Sequence, residues 1–441
     1  MPEKQHKGLM VALTYPLLKA ILNRRSRRFG LGMEIPEGPT KFKSEKHPLP
    51  LSEAEEALLL VAGVGISGFA LADVPYQPPP YPAAPDRAEK LRQFMGGGNA
   101  IISFIGRTYP TSAGSQGTEL FYTNDNGVYV TNFRKMAAEK VVEIVRADKA
   151  DELMNYVRRH TVKLGDQRLE IPRRQPAICS VNLWNANQRG TTLFIPITDV
   201  SREYINLTFL YVGDMGLNIV DDFHGNKSCC GQKWIEKGLI RKTSSVPLSY
   251  IERLFLQAMA VESGFIIQNM MLMAEALGIG GWVFSGMSPS VIMGGTPLAK
   301  GLGFRFTVGK VSNLPNPIGI DGIFQSYCPP YVKNMSEAVD LVLAEKFGSG
   351  GIYSGIQSTP FKENINMEKE VPRPSEDIIQ CVKDICEYIY NTFGRFPATI
   401  DTMLCSLFFQ AHHLELEFYD KYYKEGAYTD VHKNHMSLWH S

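Results

Sequence analysis

Between Asn23 and Gly32 the sequence reads NRRSRRFGLG, with arginines on both sides of one serine at Arg24-Arg25-Ser26-Arg27-Arg28. Guanidinium forks flanking a hydroxyl can grip a phosphate through paired, charge-assisted hydrogen bonds. Cations at a helix C-terminus also complement the helix dipole with no ligand at all. A second cluster, RTYPTSAGSQGTELFY at 107–122, places Thr111, Ser112, Ser115 and Gln116 on a backbone freed by Ala113, Gly114 and Gly117. Such a loop can press short polar groups against a flat heteroaromatic ring, although a plain surface loop before a hairpin has the same composition. A third segment, ESGFIIQNMMLMAEALGIGGWVFSG at 262–286, ends a long apolar helix at Gly278 and runs through Gly280, Gly281 and Trp282 into a strand. Exposed amides there can donate hydrogen bonds to a ring edge. The methionines at 270, 271 and 273 read as core filler. A fourth, GGTPLAKGLGFRF, offers Lys300 or Arg305 to complete a phosphate cage.

These segments need elements to hold them. Apolar residues at Leu9, Leu13, Leu17, Ile21 and Leu22 predict helix over 8–29, so the arginines fall at a helix end. Ser52 with Glu55 three residues on is a capping box and starts a second helix. GTELFYTND-NGVYVTNF alternates around Asn126-Gly127 and predicts a hairpin. TTLFIPIT (191–198) predicts a strand, and INLTFLYVGDMG (205–216) continues that β character. Pro247 to Gly278 is the longest helical stretch, apolar on more than one face and therefore central. GWVFSG and GLGFRFTVGK read as strands; PNPIGIDGIFQSYCPPY reads as loop and SEAVDLVLAEKFG as helix. The proline-rich run at 74–86 and the polar run at 357–375 read as a loop and a linker, with a last helix starting near Ser375.

Composition narrows the class. Lysine plus arginine (46) nearly cancels aspartate plus glutamate (45), so the basic run is a local feature and not the footprint of a nucleic-acid-binding protein. Hydrophobic residues at 44% and charged residues at 21% fit a globular chain. Seven cysteines without a CxxC pair read as reduced thiols. No segment has the length or order of a membrane span or signal peptide, and the expectation is a cytoplasmic protein. Gly63-Val64-Gly65-Ile66-Ser67-Gly68 matches the dinucleotide fingerprint in spelling only, because the capping box puts it at the far end of a helix.

Taken in order, helix–RRSxR, TSAGSQ, ESGxxxQNxxLxAxALGxGxW and GxP, the residues resemble the FMN-dependent nitroreductase superfamily over about residues 8–310. RTYPTSAGSQGTELFY is most similar to the azoline-oxidase branch that modifies ribosomal peptides. The resemblance implies an α+β fold, a central and mostly antiparallel sheet flanked by helices, in an intertwined homodimer with FMN at the subunit interface. It implies Arg24 and Ser26 on the FMN phosphate, with Arg25 in the same set and Arg28 facing the phosphate or the pyrimidine edge. Thr111, Ser112, Ser115 and Gln116 would contact the isoalloxazine, and Gly280, Gly281 and Trp282 would lie near N5. Lys300 and Arg305 follow the family's basic pair less clearly, and Gly114 or Ser115 stands where many members carry asparagine. The implied activity is ping-pong transfer of hydride from NAD(P)H through flavin to a small electron-poor acceptor, with no side chain marked as a catalytic acid. A flavin-dependent dehydrogenase of a peptide or carrier-bound substrate, needing a partner protein, is an alternative. A degenerate flavin-fold scaffold is another.

The expected division is an FMN-binding domain at 1–315 and a helical, loop-rich extension at 316–441, which the resemblance does not reach. The extension holds His412, His413, Glu415, Glu417, Asp420, His432, His435 and His440, potential ligands whose spacing matches no standard zinc or di-iron pattern. They read as part of a packed amphipathic element, with no metal assigned. Tyr109, Tyr122 and Trp282 are core residues or substrate-stacking groups. Cys229 and Cys230 read as inert thiols, and His224 and Lys233 lie beside them.

Overall fold

Strand-forming TTLFIPIT sits at the middle of the molecule, and every residue from Thr192 to Asp199 is buried. In this computed structural model the described residues are 3–71, 101–135, 150–311, 313–354, 359–363, 371 and 373–440. The proline-rich run at 74–86 and much of 357–375 lie outside them. The central sheet contains β1 (Thr118–Asn124), β2 (Gly127–Thr131), β3 (Thr161–Gly165), β4 (Thr192–Asp199), β5 (Gly280–Phe284), β6 (Met403–Leu404) and β7 (Phe408–His412). Its order is β5-β7-β4-β1-β2-β3, all antiparallel, with β6 beside the end of β4. The chain is thus a mixed α+β protein built on an antiparallel sheet.

The helices that position the site are α1 (Glu3–Leu13), α2 (Leu17–Asn23), α3 (Glu53–Val64), α4 (Ser201–Phe209), α5 (Leu248–Leu277), α6 (Met335–Phe347), α7 (Glu376–Phe393), α8 (Leu416–Tyr422) and α9 (Asp430–Trp439). Side-chain alternation along the strands sorts the core into two faces. Phe194, Leu120 and Phe409 meet α3 and α5 on one face; Ile195, Ile197, Phe121, Phe408 and Trp282 fill the other. The first half of α5, through Leu248, Ile251 and Phe255, packs into a separate core with α4, α6 and α7. Each large apolar side chain so buried contributes roughly 1.5–3 kcal/mol. Among the described residues no helix is long and apolar enough to cross a membrane.

The capping box is present: Ser52 Oγ accepts from Glu55 N–H, and Glu55 Oε2 accepts from Ser52 N–H at 2.6 Å. Helix α3 ends at Val64 and leads into a strand at Ile66–Phe69, the reverse of a dinucleotide-binding turn. Pro16 splits the expected 8–29 helix in two, because a residue without N–H is tolerated only at a helix start. The hairpin turns on Asp125-Asn126, and Gly127 opens β2 at φ 151°.

Three sequence expectations need correction. INLTFLYVGDMG is helical, as α4 followed by a π-turn over Leu210–Asp214. Asp199 Oδ1 accepts from the N–H and the hydroxyl of Ser201 at the helix start, and Tyr204, Ile205 and Phe209 point into the core at helical spacing. Burial outweighs β propensity there. PNPIGIDGIFQ is a hairpin, Pro315–Ile320 with Phe324–Gln325, added to the strand Arg305–Val308. Most importantly, residues after 315 do not form a separate extension. Strand β7 is inserted between β5 and β4, with Gly281 opposite Ala411 and Ala411 opposite Thr192.

This placement sets a test. Ala411→Pro removes a ladder hydrogen bond from an interior strand. Urea denaturation should show a loss of at least ~3 kcal/mol or no folded protein; unchanged stability would mean that β7 is dispensable to the sheet.

Candidate functional site

The basic run leaves α2 in extended backbone from Arg24 onward. Its anchor is Arg27, which is buried. The Arg27 Nη1 group donates to Glu275 Oε2 at 2.7 Å, Nε donates to Ala427 O at 2.8 Å and Nη2 donates to Asn23 O at 3.2 Å. Glu275 stands in the last turn of α5, so the pair pins the turn to the helix that ends at Gly278. Burial pushes the Glu275 carboxyl upward, against the pull of the Arg27 charge. Beyond the arginines the chain runs against the segment after β7: Leu31 N–H donates to His413 O at 3.1 Å, and Glu415 N–H to Phe29 O at 3.3 Å. Gly30 is required by this approach, because a Cβ there would stand 2.4 Å from the His412 ring.

A cavity of about 560 Å³ opens beside the turn. Arg25, Ser26 and Arg28, all exposed, line it together with Phe29, Trp184, Phe418, Tyr419 and Tyr423. Phe29 stacks on Phe418 with centroids 4.2 Å apart and on Trp184 at 5.9 Å, while its N–H donates to Tyr419 Oη at 3.0 Å. Arg25 also donates from Nη1 to the carbonyls of Leu22 and Arg24, both at 3.0 Å, and so caps α2. The Arg28 guanidinium lies over the Trp282 ring at 5.0 Å. Among the described residues, neither Arg25 nor Arg28 forms a salt bridge, so both charged groups stand exposed at the cavity edge. Arg24 turns away, with Nη1 3.9 Å from Met271 Sδ.

The other predicted segments are placed differently. Thr111 Oγ1, Ser115 Oγ and Thr118 Oγ1 all donate to the buried carboxylate of Glu262, the last at 2.6 Å. Gln116 Nε2 donates to Ile105 O, and the residue sits at φ 47°. The hydroxyls of Thr111 and Ser115 are therefore occupied in fixing the loop to α5 and the Gln116 amide in fixing it to Ile105, and Ser112 alone of the four predicted contacts is exposed. Glu262 lies nine positions before Met271 on the same helix, about 13 Å along its axis. Gly280 and Gly281 are buried in β5; a Cβ would stand 2.7 Å from His412 Nε2 at the first and 2.8 Å from the Phe409 ring at the second. Close packing accounts for both glycines. Trp282 is fully buried and stacks on Phe284 at 3.9 Å. Lys300 faces a different cavity with Arg168 and Glu170, and Arg305 pairs with Asp321 at 3.2 Å, so the proposed second half of the phosphate cage is not beside the basic turn.

Tyr109 and Tyr122 are core residues, Tyr122 being stacked on Tyr129 at 4.9 Å. Cys229 and Cys230 are buried free thiols, and burial raises Cys229. His224 Nδ1 is 2.8 Å from Asp221 Oδ2, and Lys233 pairs with Asp384 at 2.7 Å. His412 is buried with neither ring nitrogen partnered, and burial with the neighbouring His413 pushes it down to about 3, so the ring is neutral. The indole N–H of Trp282 is likewise buried and unpartnered. Sequence reading missed the role of Arg27, the carboxylates of Glu262 and Glu275 that position two of the four segments, and the aromatic wall; none carries a local spacing signal. It also missed that Glu55, His413, His435 and His440 converge.

No family model and no curated protein matches the chain. One solved structure, a "putative nitroreductase" from Ralstonia eutropha, aligns over 62% of this chain and 71% of its own, at 13% identity and a TM-score of 0.25. A likeness at that level decides neither fold nor function.

The anchor can be tested by itself. Arg27→Met strands a buried carboxylate and should cost about 3–5 kcal/mol in urea denaturation, whereas Arg27→Met with Glu275→Leu should recover most of it. A single variant as stable as the parent would show that the pair does not hold the turn.

Proposed function

We propose that the chain is an FMN-binding oxidoreductase whose phosphate site is the basic turn. The observation that carries this reading is the cavity lined both by Arg25, Ser26 and Arg28 and by stacked aromatic rings. Unpaired guanidinium groups and a hydroxyl suit a phosphate monoester, and aromatic walls suit a flat ring. When bound, FMN would supply two-electron chemistry, taking hydride from NAD(P)H and passing it to an electron-poor acceptor. The chain's own part is to hold the phosphate, cover the ring and keep water away.

The phosphate end fits the residues present. The ring end, within one chain, lacks the contacts expected from 111–116 and from Gly280 and Gly281, since those groups are engaged in packing. A second copy is the natural source of the remainder. Helix α2, which delivers the arginines, packs on α5 and leaves Leu17 67% and Leu22 64% exposed, with Leu18 and Ile21 beside them. Val261 and Phe265 on α5 are also exposed. This apolar helical surface adjoining a half-built site favours a homodimer.

Two measurements test these readings. Purified protein should be yellow and release FMN on denaturation, and Arg25→Ala with Arg28→Ala should lower FMN affinity at least ~10-fold. Colourless protein that takes up no added FMN would instead favour a binding module with a degenerate site. In sedimentation equilibrium the parent should be a dimer and Leu18→Glu with Leu22→Glu a monomer with reduced flavin content; a monomeric parent that holds FMN would refute the interface.

A further inference from the structure

Three histidines from the last part of the chain meet one glutamate at a buried point, with 358 positions between Glu55 and His413. Glu55 Oε1 lies 3.1 Å from His413 Nε2, 2.9 Å from His435 Nε2 and 3.2 Å from His440 Nε2. The four ligand atoms are all within 4.8 Å of each other. Side-chain exposure is 0% for Glu55, 1% for His413, 3% for His435 and 14% for His440.

The hydrogen bonds around the cluster fix which atoms face inward. His413 Nδ1 is 2.9 Å from Leu49 O, and His435 Nδ1 is 2.8 Å from Leu277 O. A carbonyl oxygen only accepts, so each Nδ1 carries the proton and each neutral ring presents a lone pair at Nε2. His435 Nε2 makes no hydrogen bond although a carboxylate oxygen stands 2.9 Å away. In their neutral forms these two rings therefore turn lone pairs toward the Glu55 carboxylate, and His440 Nε2 stands beside them. Doubly protonating one of the two would neutralise the carboxylate and leave the Nε2 of the other facing it without a donor. A single dication satisfies every ligand at once.

We propose that Glu55, His413, His435 and His440 bind one divalent transition-metal ion, with Zn2+ the best match, in a structural site. Three imidazoles select against Ca2+ and Mg2+, which take oxygen ligands. Metal–ligand bonds of about 2.0–2.1 Å in a tetrahedron hold ligand atoms about 3.3 Å apart, close to the 2.9–3.2 Å that separate Glu55 Oε1 from the three nitrogens. The supporting contacts are of the kind that orient metal ligands: backbone carbonyls on His413 and His435, and the Ser52 N–H on Glu55 Oε2 at 2.6 Å. All four positions are filled by protein, as in closed structural centres. The ion joins the start of α3, the end of β7 and α9 with its C-cap. Because His413 O accepts from Leu31 N–H, it also secures the segment that leaves the basic turn. The site stands independently of the flavin reading.

The test uses the full chain, stripped with a chelator and titrated with Co2+ and then Zn2+. The expected result is one Co2+ per chain with the intense visible bands of tetrahedral cobalt, displacement by Zn2+, and a melting temperature that falls on stripping and returns on reloading. Glu55→Gln, which keeps an acceptor for Ser52 N–H, and His440→Ala, the most exposed ligand, should each weaken Co2+ binding at least ~10-fold. Absence of stoichiometric Co2+ and Zn2+ binding by folded parent protein, judged by circular dichroism, would overturn the site, as would affinity unchanged in both variants.

Discussion

A carboxylate buried in a protein must find partners or lose its charge, and helix α5 carries three of them. Glu252 accepts from the backbone N–H groups of Ala398 and Thr399, Glu262 accepts from three hydroxyls of the 111–118 segment, and Glu275 accepts from Arg27. Each pairing ties a distant stretch of chain to a defined height on one helix. The Arg27–Glu275 pair is decisive for the cavity, because Arg27 draws the backbone inward while Arg25 and Arg28 on either side remain at the surface. A run of four like charges is thereby sorted into one structural cation, two at the cavity edge and a fourth, Arg24, turned toward Met271.

The candidate site consequently has an uneven character. Its cationic edge is exposed, whereas the loop suited to a ring commits the hydroxyls of Thr111 and Ser115 to Glu262. Glycines that might offer amides are explained by rings packed above them. The same residue types serve ligand and core equally well, and only their neighbours distinguish the two uses.

That ambiguity sets what was legible in the sequence. The long helix over 248–277, the Ser52–Glu55 capping box, the 192–199 strand and the helix starting at Ser375 follow from local periodicity and capping, and they appear as expected. Residues 205–216 have strand composition but helical burial, which depends on α6 and α7 much later in the chain. Strand β7 is five residues long within an aromatic and histidine-rich segment, and its partners β5 and β4 lie far upstream. In the basic run, which arginine turns inward depends on Glu275. The four-residue polar cluster was hidden for the same reason: Glu55 and His413 are 358 positions apart, and no linear spacing encodes their meeting.

The position of β7 also bears on how the molecule is made. Synthesis delivers β4 and β5 long before Phe408–His412 leaves the ribosome, yet these two strands touch in the finished sheet only through that late arrival. Until then the nascent chain carries open strand edges in an apolar context, the state most prone to pairing with a neighbouring polypeptide. Completion of the sheet therefore waits on Phe408–His412, and a chain cut short before that strand leaves a sheet with a missing stave.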